Sequence, residues 1–208
     1  MFIAGEVAQK FAAMQERLMQ LLPVPGDYST GVKGLTLHRR EAINFPQESG
    51  YAAPHATVVF QGKETVLVNG RGYTCGECQC RVNGKEAVGT GYIANASPEK
   101  PFLAVSLALE PELLDKLVKN TCVPTRNGHD RLKGISVAEA EHGILDAFSR
   151  LVALLQNPAA IRFLATDIVL EIHFLILAGA HGDTPCENVT REIASANNTQ
   201  LVPYRIKK

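Results

Sequence analysis

The chain has 208 residues, 46% hydrophobic and 20% charged, the balance of an ordinary folded domain. Its 21 lysines and arginines are matched by 21 aspartates and glutamates, so the formal net charge is zero. That neutrality argues against a nucleic-acid grip in this chain, because duplex binding shows as a basic face that neutralises phosphates. A chain this long buries enough surface to fold without a metal or a disulfide.

The five cysteines (Cys75, Cys78, Cys80, Cys122 and Cys186) are odd in number, and the opening MFIAGEVAQKF lacks the basic and apolar regions of a signal peptide. Free thiols in a reducing cytoplasm are the expectation. The most apolar stretch, Ile161 to Ala180, includes Arg162, Asp167, Glu171 and His173, which a membrane span tolerates poorly. It reads as a buried helix, and no membrane partner is expected.

Residues 1–26 predict an N-terminal helix. Ile3, Val7, Phe11, Met14, Leu18 and Leu21 recur at intervals of three or four, and Pro23-Val24-Pro25-Gly26 stops the run. Its apolar stripe is expected either to pack on its own chain or to act as an arm over a partner or ligand. Residues 27–110 are β-rich, with short runs at Leu35–Arg40, Ala56–Gln61, Thr65–Asn69, Gly72–Thr74, Cys78–Val82, Glu86–Ile93 and Phe102–Leu109. Asn69-Gly70 suits a tight hairpin. Strands this short and close imply an antiparallel sandwich or small barrel.

Residues 111–182 predict helices. Pro111–Lys119 reads as a short one, and Asn120–Gly134 as a polar loop. Ser136-Val137-Ala138-Glu139 has the form of a capping box, opening a helix that runs on through Ile144, Phe148, Leu151 and Leu155. Asn157-Pro158 opens the next helix, and Gly179 is placed as its C′ residue. The two long helices form an antiparallel pair. Residues 183–208 read as a linker.

Four blocks in order now resemble a known family. They are Thr30-Gly31-Val32-Lys33-Gly34-Leu35-Thr36-Leu37-His38-Arg39-Arg40-Glu41, then Val58-Val59-Phe60-Gln61-Gly62-Lys63. Ala96-Ser97-Pro98-Glu99-Lys100-Pro101-Phe102-Leu103-Ala104 follows, and then Leu177-Ala178-Gly179-Ala180-His181-Gly182. Together they resemble the N-terminal, effector-sensing domain of AraC-type bacterial transcription regulators, over roughly residues 28 to 182. The resemblance implies an α+β fold, a cupin-like antiparallel barrel with an N-terminal helix and a C-terminal helix pair. It also implies a small-molecule effector, homodimerisation through the helices, and promoter DNA bound by a C-terminal helix-turn-helix domain. That domain needs residues beyond Lys208, so the chain is expected to be a piece of a longer gene product.

Candidate site residues follow. Metal cupins use closely spaced histidines, but Asn69-Gly70-Arg71-Gly72-Tyr73-Thr74-Cys75-Gly76-Glu77 contains none, so neither a metal, a cofactor nor catalysis is expected. A metal-dependent cupin enzyme stands as the rival reading. Along His38-Arg39-Arg40-Glu41, alternation turns either His38 and Arg40 or Arg39 and Glu41 inward. His38, Arg40, Tyr73 and Tyr92 are the candidate effector contacts. Cys75-Gly-Glu-Cys78-Gln-Cys80 departs from the family pattern, which has tyrosine at 75 and 80 and glycine at 78. Three thiols so close read as core packing, as a thiol or electrophile sensor, or as a soft-metal site. The broad apolar faces of the helix pair mark Phe148, Leu151 and Leu155 as candidates for dimerisation.

Overall fold

The computed structural model describes residues 2–41, 47–51, 54–68, 70–84, 87–94, 96–120 and 134–181. Alternation along the strands sorts side chains into layers. In β2 (Leu35–Arg40), Leu35, Leu37 and Arg39 are buried on one face, and Thr36, His38 and Arg40 are half-buried on the other. This strand lies in a six-stranded antiparallel sheet with β1 (Gly26–Ser29), β4 (His55–Gln61), β7 (Gln79–Asn83), β9 (Phe102–Ala108) and β10 (Ile135–Glu139), in the order β1-β2-β9-β4-β7-β10. A second antiparallel sheet holds β3 (Gln47–Tyr51), β5 (Lys63–Val68), β6 (Arg71–Gly76) and β8 (Ala87–Ala94), in the order β3-β8-β5-β6.

The outer face of the larger sheet carries the helices. Leu37, Val58, Phe60, Val82, Leu103 and Val105 share one core with Phe11, Met14 and Leu18 of α1 (Phe2–Leu21). Phe148 and Leu151 of α3 (His142–Leu154) and Ile172 of α4 (Pro158–Ala178) complete it. The α1 stripe therefore packs on its own chain: the Phe11 and Phe60 rings lie 5.1 Å apart, and the Gln15 amide donates to the Phe60 carbonyl at 2.6 Å. The inner face of that sheet meets the smaller sheet. Val59, Phe102 and Ala104 pack on Cys75 and Ile93, and Ile135 packs on Val66 and Val68. Two sheets thus close over a shared interior, with a helix pair outside: the α+β barrel expected.

Two of the passages between the sheets are tight turns. Gly62, at φ +79°, carries β4 into β5, and its N–H donates to Glu77 Oε1 at 3.0 Å. The return from β6 to β7 runs through Cys78 at φ +62°, the one non-glycine at positive φ among the described residues. Helix α2 (Pro111–Asn120) follows β9, and Asn157 caps α4 by accepting from the Ala160 N–H at 3.2 Å.

Five elements differ from the sequence expectation. Ser136 to Glu139 is not a capping box: Ile135–Glu139 is strand β10, paired with β7 as Ile135↔Asn83 and Val137↔Arg81. Ile135 and Val137 alternate into the interior, and the ladder satisfies the N–H groups a helix start would leave open. Helix α3 begins only at His142, with no side-chain cap from Glu141. Gly179 is an extended C-cap (φ −92°) and not a left-handed C′ residue; a Cβ there would lie 2.9 Å from both the Leu175 carbonyl and Glu141 Oε1. Strands β1 and β3 were not expected either. The linker at 183–208, and most of the polar loop before β10, lie outside the described residues.

Candidate functional site

The interior is polar where packing alone favours hydrocarbon. On β7, Arg81 and Asn83 face inward, in register with Thr57 and His55 of β4. Arg81 is 1% exposed, and its Nη1 donates to Glu64 Oε1 at 2.5 Å, a carboxylate that reaches over from β5. An uncompensated charge in such a place is very costly, so this pair holds the two sheets in a fixed relation. His55 and Thr57 are buried beside it. Asn83 is wholly buried, and neither atom of its amide has a hydrogen-bond partner among the described residues. Cys75, opposite Glu64 on β6, has its thiol pushed up to about 12, by burial first and by the Glu64 carboxylate, against the pull of Arg81.

A second cluster sits at the sheet edge. His38 Nδ1 lies 2.6 Å from Asp27 Oδ1 and its Nε2 lies 2.6 Å from Ser106 Oγ. Arg40 Nη2 donates to Asp27 Oδ2 at 2.5 Å. The His38 hydrogen bond, with help from Arg40, holds the Asp27 carboxyl down to about 2. Of the two inward alternatives for this strand, the structure has His38 and Arg40 inward. Arg39 turns to the helix side, where it donates to the Leu22 carbonyl and pairs with Glu41.

The four candidate contacts divide. His38 and Arg40 line the inner face but are committed to Asp27; Tyr73, opposite Val66, packs on the inner cluster of Val66, Val68 and Ile135. Tyr92 is in register with Thr65, whose hydroxyl meets that of Thr74 on the exposed outer face. Its neighbour Ile93 takes the inward position. The residues that sequence reasoning missed are Arg81, Glu64, Asn83, His55 and Thr57. Arg81 and Asn83 carry no alternation signal, because β7 is buried on both faces.

The three thiols do not share one environment. Cys75 belongs to the barrel interior, Cys80 to the core under the helices, and Cys78 is exposed at the turn. Burial raises all three above the ordinary thiol value, with Glu77 and Glu139 adding to the rise at Cys78. Each surrounding favours the thiol over the thiolate. Among the described residues, no three His, Cys, Asp or Glu side chains form a group able to hold a metal.

Two buried histidines are structural. His173 accepts from the Glu110 N–H at 2.8 Å and lies 2.8 Å from the Val169 carbonyl, so its proton sits on Nδ1 and it ties α4 to the start of α2. His181, just past α4, lies 2.6 Å from Ser136 Oγ on β10, and burial pushes it down to about 4.

The expected dimerisation residues need correcting. Phe148 and Leu151 are 0% exposed, and Leu155 is partly buried against the same core, so the first two have no surface to offer a partner. They face the barrel because α3 is the helix that lies on the larger sheet. The exposed apolar side chains of the helix pair are Phe163 (78%), Leu164 and Phe174, all on α4. No helix among the described residues is long and apolar enough to cross a membrane.

Comparison with known proteins places this architecture. Among solved structures, the chain is similar to ToxT from Vibrio cholerae strain SCE256 in its unsaturated-fatty-acid-bound form. The identity is 7% and the TM-score 0.52, covering 73% of this chain and 55% of that one. ToxT from Vibrio cholerae O395 matches at 10% identity and TM-score 0.47, over 67% of this chain and 50% of that one. A cupin domain from Bordetella pertussis matches at 12% and 0.31, over 41% of this chain and 95% of its own. At such identities the likeness concerns the fold, and the chain spans about half the length of the ToxT structures. No curated protein matches it. A sequence model of the AraC-type transcriptional regulator N-terminus matches residues 31–184, and the chain belongs to that family.

Proposed function

We propose that this chain binds a small-molecule effector between its two sheets, and that occupancy sets promoter binding by a helix-turn-helix domain carried elsewhere in the full-length, cytoplasmic regulator. The observation that carries the reading is the polar lining: Arg81, Glu64, His55 and Asn83 are buried between sheets that hydrocarbon alone would pack more cheaply. The fatty acid bound by ToxT, a protein of similar fold, supports a sensing role for this architecture. No bond chemistry is required, since a ligand that favours one of two arrangements shifts the population toward it.

The route out of the barrel runs through β10. Its inner residues Ile135 and Val137 touch the interior clusters, and Ser136, on the opposite face, holds His181 at the end of α4. A shift of this edge strand reaches the residues that follow the helix pair. Homodimerisation is assigned to α4 through Phe163, Leu164 and Phe174, an apolar face suited to an isologous two-fold contact. Sedimentation is expected to give a dimer for the native chain and a monomer for Phe163→Glu; a native chain that stays monomeric at high concentration refutes the assignment.

The test of the sensing role is a thermal-shift screen of small metabolites, run on the native chain and on Gly91→Leu. Gly91 is in register with the inward Val66, so a leucine there fills the interior. Stabilising compounds that lose their effect in Gly91→Leu support the reading. Compounds that stabilise both proteins equally bind elsewhere and count against it.

A further inference from the structure

We infer that the effector is an uncharged molecule with a hydrogen-bond donor beside an acceptor, a carboxamide, lactam or imide edge, read by Asn83; this rests on the effector-sensing role proposed above. Two observations carry it. The first is Asn83 itself, 0% exposed, with neither Nδ2 nor Oδ1 bonded among the described residues. A buried amide in that state has lost its water without a compensating bond, and such a group in a native fold needs an explanation. Its donor and acceptor lie side by side in one plane, so the matching partner is another amide-like edge, which closes two hydrogen bonds at once.

The second observation is charge. Among the described residues, the buried cation of the interior, Arg81, is already bound to Glu64, and the half-buried Arg40 to Asp27. An anionic head group approaching Arg81 would meet the Glu64 carboxylate, so the interior favours a neutral ligand. Arg71, at the hairpin end of β6, is exposed to solvent and does not change that balance. The flanks of Asn83 fix the rest of the ligand. Ile135 is its direct neighbour on β10, and Ile135 packs with Val66, Val68 and Tyr73. These side chains suit a flat apolar body, and His55 stands in register on the other side.

Calorimetric titration with benzamide, benzoate and oleate tests the inference, on the native chain and on Asn83→Leu. Benzamide is expected to bind at millimolar concentration and to weaken at least tenfold in Asn83→Leu, with no binding of benzoate or oleate. Should Asn83→Leu fail to fold, the side-chain NH2 resonances of Asn83 in the ¹⁵N-labelled native chain give the same answer, moving on addition of benzamide and not of benzoate. Equal benzamide affinity in both proteins, or an unmoved Asn83 resonance, overturns the role of Asn83. Preferential binding of benzoate or oleate overturns the uncharged class and leaves the sensing role standing. If none of the three binds, the amide class is overturned, and the metabolite screen with Gly91→Leu decides the sensing role separately.

Discussion

Replacing Arg81 with methionine isolates the Glu64 carboxylate inside the barrel. Arg81 is 1% exposed and Glu64 9%, and their contact is 2.5 Å, so little water is at hand to rescue the abandoned charge. Breaking a buried pair by removing one partner costs about 3–5 kcal/mol, whereas replacing both by hydrocarbon of similar volume is near neutral. Arg81→Met alone should therefore lower the melting temperature by roughly 6–20 °C, at about 2–4 °C per kcal/mol for a domain of this size. The double variant Arg81→Met/Glu64→Leu should return to within about 1 kcal/mol of the native protein. Urea denaturation followed by circular dichroism, with both single variants and the double, measures the cycle. An Arg81→Met protein as stable as the native one, or a double variant that loses the sum of the two single losses, refutes a dry, paired interior.

Cys78 holds a left-handed backbone without being glycine, so Cys78→Gly should stabilise the chain by about 0.5–1 kcal/mol in the same urea assay. Acid should act first through His181, whose folded value near 4 lies below the ordinary 6.5. The unfolded imidazole takes its proton first, so stability complete above pH 6.5 erodes as pH falls toward 4, by about 3 kcal/mol. His181→Gln should remove most of that slope, leaving the part due to His173, which burial also lowers. Asp27 then adds a loss as pH falls from 3.8 toward 2, since its carboxylate is favoured in the fold. Phe148→Ala should cost about 3–5 kcal/mol in the urea assay and leave the oligomeric state unchanged, because this ring is core.

Much of the barrel is legible in the sequence, because a strand with one wet face announces its period. Strand β2 has its expected bounds, and β4 to β9 fall within about two residues of theirs at each end. Strand β1 was hidden because Gly26-Asp27-Tyr28-Ser29 has little strand character, and its pairing with β2 supplies what the residues lack. Strand β10 was hidden because Ser136 and Glu139 have the spacing of a helix start; only β7 alongside decides the matter. The site was harder to see. His38 and Arg40 stand out by alternation, but β7 is buried on both faces and so has no period to betray Arg81 and Asn83. The Arg81–Glu64 pair joins two sheets, a contact no local pattern encodes. Broad apolar helices likewise leave open which side is core, and α3 turned Phe148 and Leu151 inward while α4 kept Phe163 in solvent.

The most direct test of the central claim is native mass spectrometry of the chain after equilibration with a cytoplasmic small-molecule extract, run beside Gly91→Leu. A small molecule is expected to be retained at one per protomer by the native chain and to be absent from the folded Gly91→Leu protein. A native chain that retains nothing, or an adduct that survives the filling of the barrel, contradicts it.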